Sequence, residues 1–292
     1  MSIKVGTAPV SWGIWFSEDE KQMPWDRCMT EMSQAGYKGI ELGPWGYFPT
    51  EAKHLKEELQ KRDMNVVATT LMDDLTSNKT VNKMISILDE MSRIHDIFDV
   101  KYVVLIDGLY TDLITGELIR PPKLDDEEME RFISNIIKIR DHAKEHYGLE
   151  VLFHPHCQTH IETEEQIEAF LEKTDINLCF DIGHHAYAGG EPIAFMKKHY
   201  KRIPYLHIKN CDANVKEQAD KYNWPFARAV KEGIMVDPKS GLIDMKAFSK
   251  LLHDIEFDGW VIVEQDMYPV TYDQPYVIAK RTKKYLTEIG ID

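Results

Sequence analysis

Two histidines, His154 and His156, end an apolar segment in the stretch VLFHPH. The three apolar residues before them are typical of a buried β-strand, where an unpaired imidazole would be unfavourable. Polar groups end three later apolar segments in the same way: Asp181 follows NLCF, His207 lies in YLHIK and Glu264 ends VIVE. This recurrence favours one shared site, because each group buried alone would cost on the order of several kcal/mol.

A divalent cation is the simplest shared partner for these groups. Side chains two residues apart on a strand point to the same face, so three pairs are expected to face one site. These pairs are His154 with His156, His207 with Lys209, and Glu264 with Asp266. Two imidazoles and two carboxylates suit a divalent ion, and we predict as its ligands His154, Asp181, His207 and Glu264. This mixed set favours Mn²⁺, Co²⁺, Zn²⁺ or Fe²⁺ over Ca²⁺ or Mg²⁺.

Eight short apolar runs, rich in Val and Ile, are typical of parallel strands that are buried on both faces. They span residues 3–9, 39–43, 64–71, 102–107, 149–156, 177–183, 203–210 and 259–266. Amphipathic segments alternate with them, and several begin at a capping residue such as Thr50, Thr163 or Asp244. We therefore predict a single (β/α)₈ TIM-barrel domain over residues 1–292, an α/β fold with a parallel eight-stranded sheet. A doubly wound open sheet is the alternative, but no GxGxxG turn supports it.

Two connections are long: residues 108–124 follow the fourth strand and residues 211–243 follow the seventh. Loops after the strands lie at the carboxyl end of a barrel, where substrate sites are built. We expect both connections to be lids or binding loops.

The composition is that of a globular protein, with 43% apolar and 29% charged residues. The net charge of −14 argues against a nucleic acid or an anionic membrane as partner. The N-terminus does not resemble a signal peptide, no apolar run has the length of a membrane span, and the four cysteines are scattered singly. We expect a cytoplasmic protein with reduced thiols and a small-molecule substrate, and a homo-oligomer is compatible with the sequence.

The strand ends resemble those of the xylose isomerase-like TIM-barrel superfamily, which includes sugar isomerases, epimerases and enzymes of inositol catabolism. The similarity covers nearly the whole chain and is carried by VGTAPVSWG, GYKGIELGPWGYFPT, FDIGHHAYAGG, LHIKNCD and GWVIVEQD. In that family an acidic residue, an Asp, a His and a Glu on strands five to eight hold one divalent metal. Asp181, His207 and Glu264 match the last three, and His184 matches a histidine that lines the sugar site.

The fifth strand departs from the common pattern, since His154-Pro155-His156 stands where most of the family has a Glu followed by Asn-His. The same HPH strand end occurs in the myo-inosose dehydratase branch, which is also similar at APxxW, so the resemblance is nearest to that branch. A histidine in place of the glutamate removes one negative charge from the ligand set. This change favours Mn²⁺ or Co²⁺, with Zn²⁺, Fe²⁺ or Mg²⁺ as alternatives.

The resemblance implies a metal-dependent enzyme that polarises an α-hydroxyketone and removes a neighbouring proton to form an enediolate. Loss of a β-hydroxyl would make it a dehydratase-like lyase of inositol catabolism that acts on myo-inosose (2-keto-myo-inositol). Reprotonation would instead make it a sugar or sugar-phosphate isomerase or epimerase. A metal-dependent endonuclease of the same fold is disfavoured by the negative charge, and a purely binding role would leave the convergent ligands unexplained.

Eight side chains are expected to act on the substrate. We assign acid–base roles to His156, His184, Lys209 and Glu41, and substrate contacts to Trp12, Trp45, Arg228 and Asp266. Lys209 beside a cation should have a lowered pKa, although a salt bridge to Glu264 or Asp266 is the alternative role. The tryptophans, with Trp15, could instead pack in the core, and Arg228 could be solvated.

Overall fold

Eight parallel strands form a barrel in the computed structural model, which describes residues 2–292. The strands are β1 (Ile3–Thr7), β2 (Gly39–Glu41), β3 (Asn65–Asp73), β4 (Tyr102–Asp107), β5 (Glu150–Phe153), β6 (Cys179–Asp181), β7 (Tyr205–Ile208) and β8 (Gly259–Val263). They hydrogen-bond in the order β5-β4-β3-β2-β1-β8-β7-β6, and a parallel bridge between Phe153 and Leu178 joins the two outer strands. The predicted (β/α)₈ fold is therefore confirmed.

Eleven α-helices occur within residues 2–292. They are α1 (Trp25–Ala35), α2 (Ala52–Gln60), α3 (Asn78–Phe98), α4 (Asp126–Tyr147), α5 (Glu164–Lys173), α6 (Ile182–Tyr187), α7 (Pro192–His199), α8 (Ala213–Tyr222), α9 (Phe226–Lys231), α10 (Met245–Asp254) and α11 (Pro275–Glu288). Thr163 and Asp244 are N-caps, as predicted. The prediction for Thr50 is wrong, because the Glu51 side chain accepts the first backbone N–H groups of α2. A carboxylate in that position also interacts favourably with the helix dipole.

Two apolar layers cover the faces of the sheet. Inside the barrel lies a small cluster made of Ala8, Val67, Ala68, Val104, Ile106, Leu152, Cys179, Tyr205 and Ile262. A larger core fills the space between the strands and the outer helices and includes the fully buried Phe132, Phe153 and Phe248. Because apolar packing holds the body of each strand, polar residues at the carboxyl ends are free to form a site.

Several strands end earlier than the apolar pattern predicts. Strand β5 ends at Phe153, and Pro155, which has no N–H group to donate, lies just beyond it. Strand β6 ends at Asp181, because the Asp181 side chain accepts the N–H groups of Gly183 and His184 and so begins α6. The predicted site residues of these two strands therefore lie at or just past their ends.

The connection of residues 211–243 has more secondary structure than the sequence pattern indicates. It contains α8 and α9. A short antiparallel pair, Asn210–Cys211 with Met235–Val236, brackets these two helices. None of the helices within residues 2–292 is both long enough and apolar enough to cross a membrane.

Gln158 joins both long connections to the end of β5. Its Oε1 atom accepts a hydrogen bond from the Thr111 hydroxyl at 2.8 Å, in the connection of residues 108–124. The same oxygen accepts from the backbone N–H of Phe226 at 3.2 Å, at the start of α9. The two connections are therefore held against the carboxyl end of the barrel.

Candidate functional site

The four residues predicted as metal ligands are buried together at the carboxyl end of the barrel. His207 Nδ1 lies 3.1 Å from Glu264 Oε2 and 3.7 Å from Asp181 Oδ2. The His154 ring lies 4.7 Å from the His207 ring, centroid to centroid. All of these atoms are buried, and Asp181 Oδ2 also lies 2.9 Å from Lys209 Nζ, so two imidazoles and two carboxylates converge within a few ångströms. These donors fit a divalent metal ion.

Each of the two histidine ligands is oriented through its other ring nitrogen. His154 Nδ1 lies 3.2 Å from the carbonyl oxygen of Cys179, which can only accept, so Nδ1 carries the proton and Nε2 is left with its lone pair. His207 Nε2 lies 2.9 Å from Glu41 Oε2, which leaves Nδ1 to face Glu264 and Asp181. A second hydrogen bond of this kind is usual for histidines that bind metals.

Glu41 is itself held by two hydroxyl groups. The Thr70 hydroxyl donates to Glu41 Oε1 at 2.7 Å, and the Tyr205 hydroxyl donates to Glu41 Oε2 at 3.0 Å. With His207 on the same carboxylate, Glu41 has three partners, all buried or nearly so. The geometry makes Glu41 an anchor for His207, although its sequence-predicted role was acid–base catalysis.

Asp181 combines two functions on one carboxylate. Its Oδ1 atom accepts the N–H groups of Gly183 at 2.8 Å and His184 at 2.9 Å, while Oδ2 is directed towards His207 and Lys209. Burial alone would raise the pKa of Asp181, but the Lys209 ammonium and nearby histidines hold it well below its usual value. Asp181 is therefore ionised, which is the form that its predicted role as a metal ligand requires.

Lys209 lies fully buried between three carboxylates. Its Nζ atom is 2.8 Å from Glu264 Oε2, 2.9 Å from Asp266 Oδ2 and 2.9 Å from Asp181 Oδ2. Burial would lower the pKa of Lys209, but attraction by these carboxylates raises it well above its ordinary value. The structure thus shows the salt bridges that were the alternative role, and the lowering of the Lys209 pKa beside a bound cation stays a prediction.

His156 and His184 lie side by side, with ring centroids 3.9 Å apart. His156 Nδ1 lies 2.9 Å from the carbonyl oxygen of Cys157 and must donate to it, so His156 Nε2 has a free lone pair. Burial lowers the pKa of His156 and keeps the ring neutral. His184 has no free nitrogen: Nε2 accepts from Lys209 at 3.1 Å, and Nδ1 lies 2.9 Å from Cys157 Sγ. Of the two, His156 has the geometry of a base.

A cavity of about 460 Å³ opens above this cluster. Several of the predicted site residues line it, namely Glu41, Trp45, His154, His156, His184, His207, Glu264 and Asp266. Trp12 does not line it: the side chain is buried, and Nε1 donates to Glu31 at 3.0 Å. Arg228 also lies outside the lining, with its guanidinium 4.4 Å from the centre of the Trp224 ring.

Three residues that contact the predicted site residues were missed from the sequence: Thr70, Tyr205 and Cys157. Tyr205 lies two residues before His207 on β7, so strand alternation could have placed it on the same face. Thr70 comes from β3, which carries none of the predicted site residues, and Cys157 lies in the loop after β5. No spacing rule connects either of them with its partner.

The comparison with known families decides the classification of this fold. The model of the xylose isomerase-like TIM barrel family matches residues 29–288. The chain belongs to the xylose isomerase-like TIM barrel family. The prediction of this family is thereby confirmed.

Three similar proteins have names or descriptions that state an activity or a bound ligand. The inosose dehydratase of Lacticaseibacillus casei is 27% identical over 296 residues, which cover 98% of this chain and 97% of that protein. The structure of a protein named IolI with a bound zinc atom superposes with a TM-score of 0.70 at 21% identity and covers 98% of both chains. The D-allulose 3-epimerase of Methylomonas sp., solved with D-allulose, has a TM-score of 0.69 at 14% identity and covers 98% of this chain and 96% of its own. The prediction that this chain is an enzyme is confirmed by these relatives.

Proposed function

We propose that the protein is a divalent-metal-dependent lyase that removes water from a keto-polyol of the 2-keto-myo-inositol type. The observation that carries the proposal is the burial of His154, Asp181, His207 and Glu264 in one cluster, beside a neutral His156. The likeness to inosose dehydratases over nearly the full length supports the choice of substrate.

The proposed ion is Mn²⁺ or Co²⁺, held by two imidazoles and two carboxylates. The zinc atom in the IolI structure supports a divalent site in a chain of this fold. The bound ion would polarise the ketone and stabilise the negative charge that develops on its oxygen. Neutral histidine ligands leave more positive charge on the ion than a third carboxylate would.

The remaining chemistry falls to side chains that face the cavity. His156 Nε2, which has a free lone pair, takes the proton from the carbon next to the ketone. The hydroxyl on the following carbon receives that proton back from His156 and leaves as water, and the resulting enol tautomerises to a dione. Asp266, which lines the cavity, holds that hydroxyl, and Lys209 positions Asp266 by donating to it at 2.9 Å.

An isomerase or epimerase is the second candidate. The same proton abstraction followed by reprotonation, without loss of a hydroxyl, would give an epimer. The structural similarity to a D-allulose 3-epimerase is the reason to test for this second reaction. The HPH end of β5 and the similarity to inosose dehydratases favour the lyase.

The proposal also covers the setting in which the enzyme works. The charge of −14 supports a small-molecule substrate and disfavours nucleic acids and anionic membranes as partners. The four cysteines are all free and buried, which supports a reducing, cytoplasmic location. A homo-oligomer remains part of the proposal and is tested by its mass in solution.

The test is to incubate the Mn²⁺-loaded or Co²⁺-loaded protein with 2-keto-myo-inositol and ketohexoses in D₂O. The lyase forms a dione from 2-keto-myo-inositol. Deuterium uptake with an epimeric product would establish the isomerase instead. The variant Glu264→Gln, which removes one ligand charge, serves as the inactive control.

A further inference from the structure

The cavity above the metal ligands has two unlike halves. The residues at the ends of β5 to β8 supply histidines and carboxylates. The opposite half is built by the end of β3, by the loops after β1, β2 and β4, and by α3, and we call six of its residues the apolar wall: Trp15, Phe16, Trp45, Met72, Ile87 and Leu113. We propose that this wall binds an apolar group attached to the substrate ring, so that the preferred substrate is a keto-polyol or keto-sugar with an alkyl or aryl substituent. The inference rests on the proposed function, because it takes the ketone end to lie at the metal ligands.

The size of the cavity supports this proposal. Cavities of about 300–1,000 Å³ enclose drug-sized ligands. At about 460 Å³ the cavity lies in that range and is larger than one six-carbon ring needs. When a bare polyol is held at the metal ligands, the outer part of the cavity is left to solvent.

The side chains of the wall also favour an apolar group over a hydroxylated one. A ligand hydroxyl that loses its hydrogen bonds to water and forms none with the protein costs about 1–3 kcal/mol of binding free energy. A polyol in contact with the wall would therefore need hydrogen-bonding side chains there. Among the polar side chains in this half, Asp73 and Lys83 pair with each other at 3.4 Å. The Trp45 indole N–H donates to Glu90 at 3.1 Å and is not free for a ligand.

The wall is also exposed to solvent and fixed in place. Met72 is 47% exposed, and the other five members of the wall are half-buried. Trp15 stacks on Tyr268 with ring centroids 4.9 Å apart, and the Tyr268 hydroxyl donates to Asp19 at 2.7 Å. Exposed apolar surface that is rigid and lies beside a polar site is typical of a ligand-binding wall.

The test compares two pairs of ligands that differ only in an apolar group. The first pair is 2-keto-myo-inositol and its O-benzyl ether, and the second is methyl and benzyl β-D-glucoside, which have no ketone to react. Binding to the Mn²⁺-loaded protein is measured by titration calorimetry. We expect the benzyl compound of each pair to bind at least about tenfold more tightly, with a negative heat-capacity change from apolar burial.

Variants of the wall locate the effect. Met72→Gln combined with Ile87→Gln should remove most of the benzyl preference, measured as the ratio of the two affinities within each pair. Val277→Gln, an exposed apolar residue on α11 away from the cavity, is the matched control and should keep the preference. A preference that survives the double variant would overturn the assignment to the wall.

The outcomes separate this inference from the proposed function. If 2-keto-myo-inositol is dehydrated but benzyl compounds bind no more tightly than their partners, the inference fails and the proposed function stands. If the benzyl preference is present but no ketone is dehydrated, the wall is a ligand site and the proposed function fails.

Discussion

A carboxylate oxygen of Glu41 lies 2.9 Å from Nε2 of His207, and both side chains are buried. Glu41 belongs to β2 and His207 to β7, so closure of the barrel brings together residues that are 166 positions apart. The contact fixes which nitrogen of His207 faces the other ligands. It therefore connects Glu41, which lines the cavity but was not predicted as a ligand, to the expected metal affinity of the site.

Replacing Glu41 by Gln should weaken Mn²⁺ binding about 10–100-fold, because the second hydrogen bond that orients a histidine ligand is lost or reversed. The measurement is a Mn²⁺ titration followed by electron paramagnetic resonance. Glu57→Gln, an exposed carboxylate on α2, is the control. Unchanged Mn²⁺ affinity together with lost turnover would instead return Glu41 to acid–base catalysis.

Replacing His156 by Ala should reduce kcat about 10²–10⁴-fold and leave Mn²⁺ affinity unchanged, since His156 offers a base and not a ligand in the proposed mechanism. Turnover of 2-keto-myo-inositol and Mn²⁺ binding are measured on the same preparation. The exposed His54→Ala is the control. A parallel loss of metal binding and turnover would show that His156 is a ligand.

Removal of the metal by a chelator should lower the Tm, and added Mn²⁺ should restore it in a concentration-dependent way. At a free Mn²⁺ concentration of 100 times Kd the expected stabilisation is about 2.7 kcal/mol. Asp181→Asn keeps an oxygen to cap α6 but removes the ligand charge, so it should abolish the Mn²⁺ effect. Loss of the buried salt bridge to Lys209 should also lower the Tm of the metal-free variant. An equal Mn²⁺ effect in this variant would contradict the assigned ligand set.

The pair His160–Asp107 should make stability depend on pH. His160 Nδ1 lies 2.6 Å from Asp107 Oδ2, and Nε2 lies 3.0 Å from the carbonyl oxygen of Pro121. Burial alone would lower the pKa of His160, but the bond to Asp107 raises it. A raised folded-state pKa means that the contribution is complete below the unfolded value of about 6.5 and is lost as the pH rises through the folded value.

We therefore expect His160→Phe to reduce the free energy of unfolding by about 1–3 kcal/mol near pH 6, and by less near pH 9. Urea unfolding of both proteins at the two pH values measures the difference. A loss that is the same at both pH values would show that His160 is neutral in the folded protein. Exposed His54→Ala should show no such dependence.

The sequence by itself determined the alternation of strands and helices and the types of residue at the strand ends. Short continuous apolar runs rich in Val and Ile favour buried strands, and strand alternation placed His154 with His156 and Glu264 with Asp266. Those rules act over a few residues and depend on local spacing. The fold class and the group of predicted ligands follow from them, whereas the family came from the resemblance of whole motifs such as FDIGHHAYAGG and GWVIVEQD.

Tertiary structure decided which partner each polar atom has. Lys209 is held by three carboxylates from two other strands, and Glu41 orients His207 from across the barrel. The buried Trp12 indole donates to Glu31, whereas Trp45 lines the cavity. Such pairings depend on how distant strands meet and on rotamers chosen by packing, and no spacing along the chain encodes them.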